Sequence, residues 1–152
     1  MAVQVLIGLG VLVAASVVAL VLRGRRRAGA TPVGDAYPVA RQLSRADFSR
    51  PDAPWLVVLF SSRVCDSCED MRDKIAVLAS DEVAVHDAEF TQSRELHERY
   101  AISGVPMVVL ADAEGVVRRA FVGPVSATDL WAAVAAERDP QRAPSELGRL
   151  VD

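Results

Sequence analysis

The sequence predicts an α/β domain with a mixed central sheet covered by helices on both faces, preceded by one membrane-spanning helix. Two observations lead to this prediction. Segments with the patterns of strands and helices alternate after the first third of the chain, and an apolar run without charged side chains stands before them. The 152 residues are 51% hydrophobic and 24% charged, which suits one folded domain and excludes a chain disordered throughout.

The first element is the apolar run at residues 2–22, whose only polar side chains are Gln4 and Ser16. As a helix rising about 1.5 Å per residue, it spans roughly 30 Å, the thickness of the bilayer's hydrocarbon core. A cleavable signal peptide is the alternative, but such peptides begin with basic residues and have a shorter apolar stretch. We therefore expect a retained single-pass anchor in contact with membrane lipid.

The arginines behind this run predict its orientation. Arg23, Arg25, Arg26 and Arg27 follow the run, and no charged side chain precedes it. Because basic residues beside a span stay on the cytoplasmic side, we expect the domain to face the cytoplasm. The alternative is an extracytoplasmic domain whose arginines contact lipid headgroups. Residues 23–40 contain glycines and prolines without apolar periodicity, which predicts a basic juxtamembrane linker.

The elements of the domain, residues 41–139, follow from local patterns. A short β-branched run predicts a buried strand, and apolar residues at helical spacing predict an amphipathic helix after it. The predicted order is strand 55–60, helix 68–80, strand 83–90, helix 92–101, strand 106–111, strand 116–122 and a closing helix around Leu130 and Val134. The early alternation implies a parallel crossover, and the Glu114-Gly115 turn implies an antiparallel hairpin.

The closing helix and the two tryptophans complete this prediction. Ser126 is the expected N-cap of the closing helix, with Thr128 as the alternative. Trp55 and Trp131 are expected to anchor the core. Residues 140–152 contain few apolar side chains and are predicted to be a flexible tail.

A pair of cysteines carries the chemistry of the sequence. Cys65-Asp66-Ser67-Cys68 lies where the first strand ends and the first helix of the domain begins. The unpaired N–H groups and the dipole of a helix N-terminus stabilise a thiolate at Cys65. Cys68 lies one turn further on, close enough to form a disulfide or to attack a mixed disulfide on Cys65. A nucleophile on the outside and a resolving thiol on the inside is the arrangement that thiol–disulfide exchange requires.

Residues 55–134 resemble a thioredoxin-fold protein. The resemblance is carried by the strand–CxxC–helix unit, by Gly104-Val105-Pro106 before a strand, and by Phe121-Val122-Gly123 at the end of the hairpin. It implies a thioredoxin-like three-layer fold, with Cys65 as the nucleophile and Cys68 as the resolving thiol. It also implies a cis bond between Val105 and Pro106, which form the backbone platform for the substrate's chain.

The sequence departs from that family at several positions. Thioredoxins usually have Trp before the first cysteine and Gly-Pro between the two, where this chain has Val64 and Asp66-Ser67. The family's buried acid falls on Leu59. Asp87 on the neighbouring strand is the candidate base for Cys68, with an exposed strand-end carboxylate as the alternative interpretation.

Three carboxylates in the first helical turn predict a weak thiolate at Cys65, because like charges oppose its ionisation. Two arginines are expected to offset them in part. The carboxylates belong to Asp66, Glu69 and Asp70, and the guanidinium groups to Arg63 and Arg72.

Other classes of function fit the sequence less well. All 20 acidic but only 13 of the 17 basic side chains lie from Thr31 onward, a balance that disfavours binding to nucleic acid. A zinc site would need Cys65, Cys68, His86 and His97, whose spacing differs from that of zinc fingers, and Cu(I) carriage lacks a methionine cluster. We expect no metal and no cofactor.

The sequence therefore predicts a monomeric, membrane-anchored thiol–disulfide oxidoreductase whose partners are protein thiols or disulfides. The alternative is a catalytically weak thioredoxin-fold module that binds a protein partner in its groove.

Overall fold

The computed structural model describes residues 31–32 and 39–140. The predicted anchor at residues 2–22 lies outside the described residues, as do most of the predicted linker and the tail from residue 141. Within the two described ranges, no helix has the length and apolar character needed to cross a bilayer.

Five strands and three α-helices make up the described domain. The strands are β1 (Thr31–Pro32), β2 (Trp55–Ser61), β3 (Val83–Glu89), β4 (Met107–Ala111) and β5 (Val117–Val122), and the helices are α1 (Asp66–Ala76), α2 (Arg94–Arg99) and α3 (Ala127–Arg138). A single turn of 3-10 helix at Arg45–Asp47 precedes β2.

The strands form one mixed sheet in the order β1-β5-β4-β2-β3. β2 runs parallel to β3 and antiparallel to β4, and β5 is antiparallel to both β4 and β1. The mixed sheet with a parallel crossover and an antiparallel hairpin is confirmed, and the order β3-β2-β4-β5 is that of the thioredoxin fold. Thr31–Pro32 lies in the predicted linker but forms an edge strand, where the missing N–H of proline is tolerated.

The two faces of the sheet pack into two apolar clusters. Side chains of β2 alternate between them, with Phe60 in one cluster and Leu59 in the other. The Leu59 face is covered by α1 and α3, through residues such as Met71 and Leu130. The Phe60 face is covered by α2, its C-cap Tyr100 and the segment before β2. The core therefore lies on both sides of the strand that leads to the cysteines.

The structure places several element ends inside the predicted bounds. α1 ends at Ala76, whereas the sequence predicts a helix to residue 80. Ser80 and Val83 instead exchange backbone hydrogen bonds in a turn, with N–O distances of 3.1 and 3.3 Å. The last predicted residue of α2, Ala101, has φ of 52° and cannot continue the helix.

The prediction that Trp131 anchors the core is wrong. Its side chain is 40% exposed, and its indole N–H donates to the carbonyl of Lys74 at 3.1 Å. Leu130 and Val134 already fill the inward stripe of α3, so the residue after Leu130 points sideways. Trp55 is half-buried and does pack against the core.

Candidate active site

The two cysteines form a disulfide at the start of α1, with their Cα atoms 5.4 Å apart. Cys65 is the N-cap residue of the helix and is partly exposed, whereas Cys68 is fully buried. The placement predicted for an outer nucleophile and an inner resolving thiol is thus present in the geometry. A partner can reach the sulfur of Cys65 first.

The turn between β2 and α1 holds Cys65 at the end of the sheet. Its backbone N–H donates to the carbonyl of Ser62 at 3.3 Å, and the N–H of Cys68 donates to the carbonyl of Cys65 at 3.1 Å. The Ser67 hydroxyl lies 3.7 Å from the Cys65 sulfur. Cys65 is the residue before the first turn of α1, and the unpaired N–H groups and dipole of a helix N-terminus favour a thiolate at that position.

Pro106 lies at the same end of the sheet as the cysteines. Met107, the next residue, is paired with Phe60 of β2 and with Val122 of β5. The Val105–Pro106 bond is cis, as predicted, and the carbonyl of Pro106 accepts a hydrogen bond from the N–H of Gly123 at 2.8 Å. The backbone of half-buried Val105 forms no hydrogen bond within residues 31–32 and 39–140.

The candidate base Asp87 belongs to a polar network between β3 and α1. The Ser61 hydroxyl donates to one oxygen of its carboxylate at 2.6 Å, and Arg72 Nε donates to the other oxygen at 2.6 Å. Arg72 Nη2 also donates to the Ser61 hydroxyl at 3.2 Å. Asp87 pairs in register with Leu59, the position of the family's buried acid, so its carboxylate lies on the α1 face of the sheet. Its role as a base stays a prediction.

A second carboxylate, Glu89, lies at the end of β3 and is only 7% exposed. It accepts hydrogen bonds from the backbone N–H of Arg63 at 3.3 Å and from the backbone N–H and hydroxyl of Thr91 at 3.1 and 3.2 Å. Burial alone raises the pKa of Glu89, but these hydrogen bonds and the Arg63 charge outweigh burial and leave the pKa below its usual value. Glu89 therefore fixes the turn before Cys65 as an anion.

The sequence analysis did not identify Glu89. A signal was available, because residues two apart on a strand point to the same face of the sheet. Glu89 lies two residues after Asp87 and pairs with Ser61, so all three side chains point to the α1 face. Asp87 and Glu89 line a polar cleft together with Arg63, Glu69, Arg72 and Gln92.

The charges around the helix start are arranged differently from the prediction. Arg63 and Arg72 pair with the β3 carboxylates Glu89 and Asp87, at 3.8 and 2.6 Å. Of the three helix acids, one does have a cation: Asp70 is bound by Lys74 at 2.5 Å. The prediction that the two arginines offset the helix acids therefore fails in detail, because the strand carboxylates take both guanidinium groups.

The histidines weighed for a zinc site lie apart from the cysteines. His97 Nε2 lies 2.8 Å from the carbonyl oxygen of Ala88, and its ring contacts Phe60 and Phe90 edge-on. Burial lowers the pKa of His86, against the opposing effect of the Asp87 charge. Across the described parts of the chain, no three His, Cys, Asp or Glu side chains are grouped so that they could hold a metal ion.

Comparison with known proteins finds likeness in structure only. No protein-family model and no curated protein sequence matches the chain. A solved structure of a malarial protein has a TM-score of 0.50 and 15% identity, over 54% of this chain and 94% of its own. A variant thioredoxin from Halobacterium salinarum has a TM-score of 0.49 and 23% identity, over 58% of this chain and 76% of its own. Mitochondrial thioredoxin 3 from Saccharomyces cerevisiae has a TM-score of 0.49 and 17% identity, over 60% of this chain and 84% of its own.

Proposed function

We propose that the protein is a membrane-anchored thiol–disulfide oxidoreductase acting on protein thiols or disulfides. The observation that carries this proposal is the disulfide at the start of α1, with Cys65 partly exposed and Cys68 buried. A helix start favours the thiolate that exchange needs, and the burial of Cys68 keeps that sulfur for the second step.

The reaction proceeds in two exchanges. From the dithiol form, the Cys65 thiolate attacks a disulfide of the substrate, forms a mixed disulfide and releases one substrate thiolate. Cys68 then loses its proton, attacks the Cys65 sulfur and releases the second substrate thiol, so two electrons pass to the substrate. Asp87, beside Leu59 on the neighbouring strand, is the proposed acceptor of the Cys68 proton. Run in reverse, the same steps oxidise a substrate dithiol.

Val105 and Pro106 supply the proposed substrate platform. The backbone N–H and C=O of Val105 form no hydrogen bond within the described residues, so they are available to pair with an extended segment. Such strand addition gives affinity through the main chain and leaves the side chains of the substrate free to vary. The platform thus suits protein substrates of varied sequence.

A trapping experiment tests the proposal. In the full chain, Cys68→Ser removes the resolving thiol, so mixed disulfides through Cys65 should accumulate and disappear on reduction. The matched control, Cys65→Ser with Cys68→Ser, should trap nothing. Purified full chain in detergent should also reduce a model protein disulfide. Absence of both adducts and reductase activity would sink the proposal.

A binding module that no longer catalyses is the second candidate. The observation that favours it is Leu59, fully buried at the position of the family's acid. In that case the Cys65→Ser, Cys68→Ser variant still captures the partner noncovalently with unchanged affinity. An oxidoreductase loses most of its partner capture with this variant, because the mixed disulfide holds the complex.

The membrane anchor is the third part of the proposal. It rests on the apolar run at residues 2–22 and the arginines at 23–27. The full chain should resist alkaline extraction from membranes, whereas a chain lacking residues 2–22 should be released.

For orientation, a membrane-impermeant thiol reagent should leave Cys65 unlabelled in intact cells and label it after lysis. Labelling without lysis would instead place the domain outside.

A further inference from the structure

We propose that the cysteine edge of the domain, meaning the end of the sheet that carries Cys65 and Pro106, faces the bilayer. We further propose that the substrate is a cysteine pair of an integral membrane protein close to the membrane surface. The proposal rests on the anchored oxidoreductase proposed above and adds the substrate class. Its basis is the sheet end at which the chain enters the domain.

The register of three strand pairs places the entry of the chain beside the cysteines. Thr31 at the start of β1 pairs with Val122 at the end of β5. Val122 in turn pairs with Met107, and Met107 pairs with Phe60 near the end of β2. Residue 31 therefore lies at the sheet end from which β2 leads to Cys65, and not at the opposite end.

The number of residues between the proposed span and β1 limits how far the domain can lie from the membrane. Residues 23–30 are eight in number, and even a fully extended chain covers at most about 29 Å over that length. Only three strand spacings separate β1 from β2, about 14 Å across the sheet. The opposite end of β2 lies about 23 Å further away, the length of its seven residues. The cysteine edge is thus the part of the sheet held nearest the bilayer.

The chemistry of this edge fits a protein better than lipid as its partner. Val64, directly before Cys65, is 91% exposed and presents an apolar side chain to an incoming surface. Asp66 and Glu69 in the first turn of α1 repel the anionic headgroups of a membrane surface. An exposed apolar residue, free backbone groups at Val105 and the reactive sulfur together suit a polypeptide segment that emerges from the bilayer.

A depth measurement tests the geometry. Val64→Cys marks the cysteine edge and Asp81→Cys the opposite edge, each in the full chain with Cys65→Ser and Cys68→Ser, reconstituted in lipid vesicles and labelled with a donor dye. Energy transfer to an acceptor on the lipid headgroups should place the Val64→Cys label nearer the bilayer by about 23 Å, the length of β2. Equal depths, a nearer Asp81→Cys label, or a chain that does not stay with the vesicles would overturn the proposal.

A linker insertion tests the substrate class. About twenty flexible Gly/Ser residues inserted after Arg27 lengthen the tether, and the same insertion after Pro140 is the control. In the Cys68→Ser background, the first insertion should lower the yield of mixed disulfides with integral membrane proteins severalfold, and the control should not. In the parent chain, which retains both cysteines, neither insertion should change the rate at which a soluble model disulfide is reduced. If all trapped partners are soluble proteins, the proposed substrate class is refuted. If the parent chain without an insertion does not reduce the soluble model disulfide, the proposed oxidoreductase function is refuted.

Discussion

Arg72 and Asp87 join α1 to β3 in a charge pair, with Nε 2.6 Å from the carboxylate oxygen Oδ2. Arg72 lies one helical turn after Cys68, and Asp87 lies beside Leu59 in the parallel register. The pair therefore links the helix to the neighbouring strand at the surface, where the side chains of Arg72 and Asp87 are 34% and 31% exposed. Asp87 is held by two donors in a position that a residue in a flexible loop could not keep.

Asp87→Asn should slow disulfide exchange about tenfold or more near pH 7, because a positioned base contributes at least that much to a proton transfer. The pH–rate profile of model disulfide reduction is the measurement. Asp73→Asn, which removes an exposed carboxylate on α1, is the control. An unchanged rate and profile would show that Asp87 only positions Arg72.

Tyr100→Phe should lower the free energy of unfolding by about 1–2 kcal/mol at pH 7, since the hydroxyl donates to Asp47 and accepts from the N–H of Ser44. The hydroxyl of Tyr100 and the Arg99 guanidinium hold the pKa of Asp47 below its usual value. A carboxyl with a lowered folded-state pKa stabilises the fold above its unfolded pKa, about 3.9, and this contribution is lost as the pH falls through the folded pKa.

Urea unfolding at a series of pH values checks this expectation. The difference between the parent and Tyr100→Phe should be largest near neutral pH and should shrink below about pH 4, where Asp47 takes up a proton. A difference that does not depend on pH would mean that the hydroxyl acts through packing alone.

Gly115→Ala should be far more destabilising than Gly123→Ala. Both glycines have positive φ, 80° and 86°, and alanine in this region costs about 1 kcal/mol. A Cβ at Gly115 would also lie 2.0 Å from the carbonyl oxygen of Leu43, whereas a Cβ at Gly123 meets nothing within 4 Å. Forcing Leu43 to move should add about 2 kcal/mol. Chemical denaturation of the two variants gives the comparison, and equal losses would contradict the close approach.

Ser126→Ala should cost about 1 kcal/mol, because the Ser126 hydroxyl oxygen accepts from the backbone N–H of Asp129 at 3.1 Å and caps α3. Thr128→Ala, at the exposed alternative cap position, should change the free energy of unfolding by less than half of that. Thermal unfolding of both variants decides which residue is the cap.

The order of the elements from β2 to α3 was predictable because each of these has a local signal. The β-branched run of β2 and the Glu114-Gly115 turn of the β4–β5 hairpin depend only on neighbours in sequence, and both are present in the structure. The inner position of Cys68 followed from its spacing after Cys65 at a helix start, whereas the cis bond at Pro106 followed from a resemblance. Local pattern and family resemblance thus supplied different parts of the prediction.

The parts that sequence reasoning missed depend on contacts between distant residues. β1 has two residues, too few for a periodic pattern, and forms only because β5 presents an open edge. Leu43 and Phe48 belong to the core, but no periodicity marks them, since they lie in a loop and after a single 3-10 turn. The pairing of Arg63 with Glu89 joins residues 26 positions apart and was invisible to any argument from helix spacing.

The central position of β2 has a consequence for local opening of the molecule. β2 is flanked by β3 and β4, and every residue after Trp55 is buried. Its amide protons should therefore exchange with solvent only when the whole domain unfolds, while those of β1 at the edge exchange through local fraying. The turn that carries Cys65 begins directly after this strand. The position of the Cys65 sulfur, close to the strand that we expect to exchange most slowly, should therefore not depend on local unfolding.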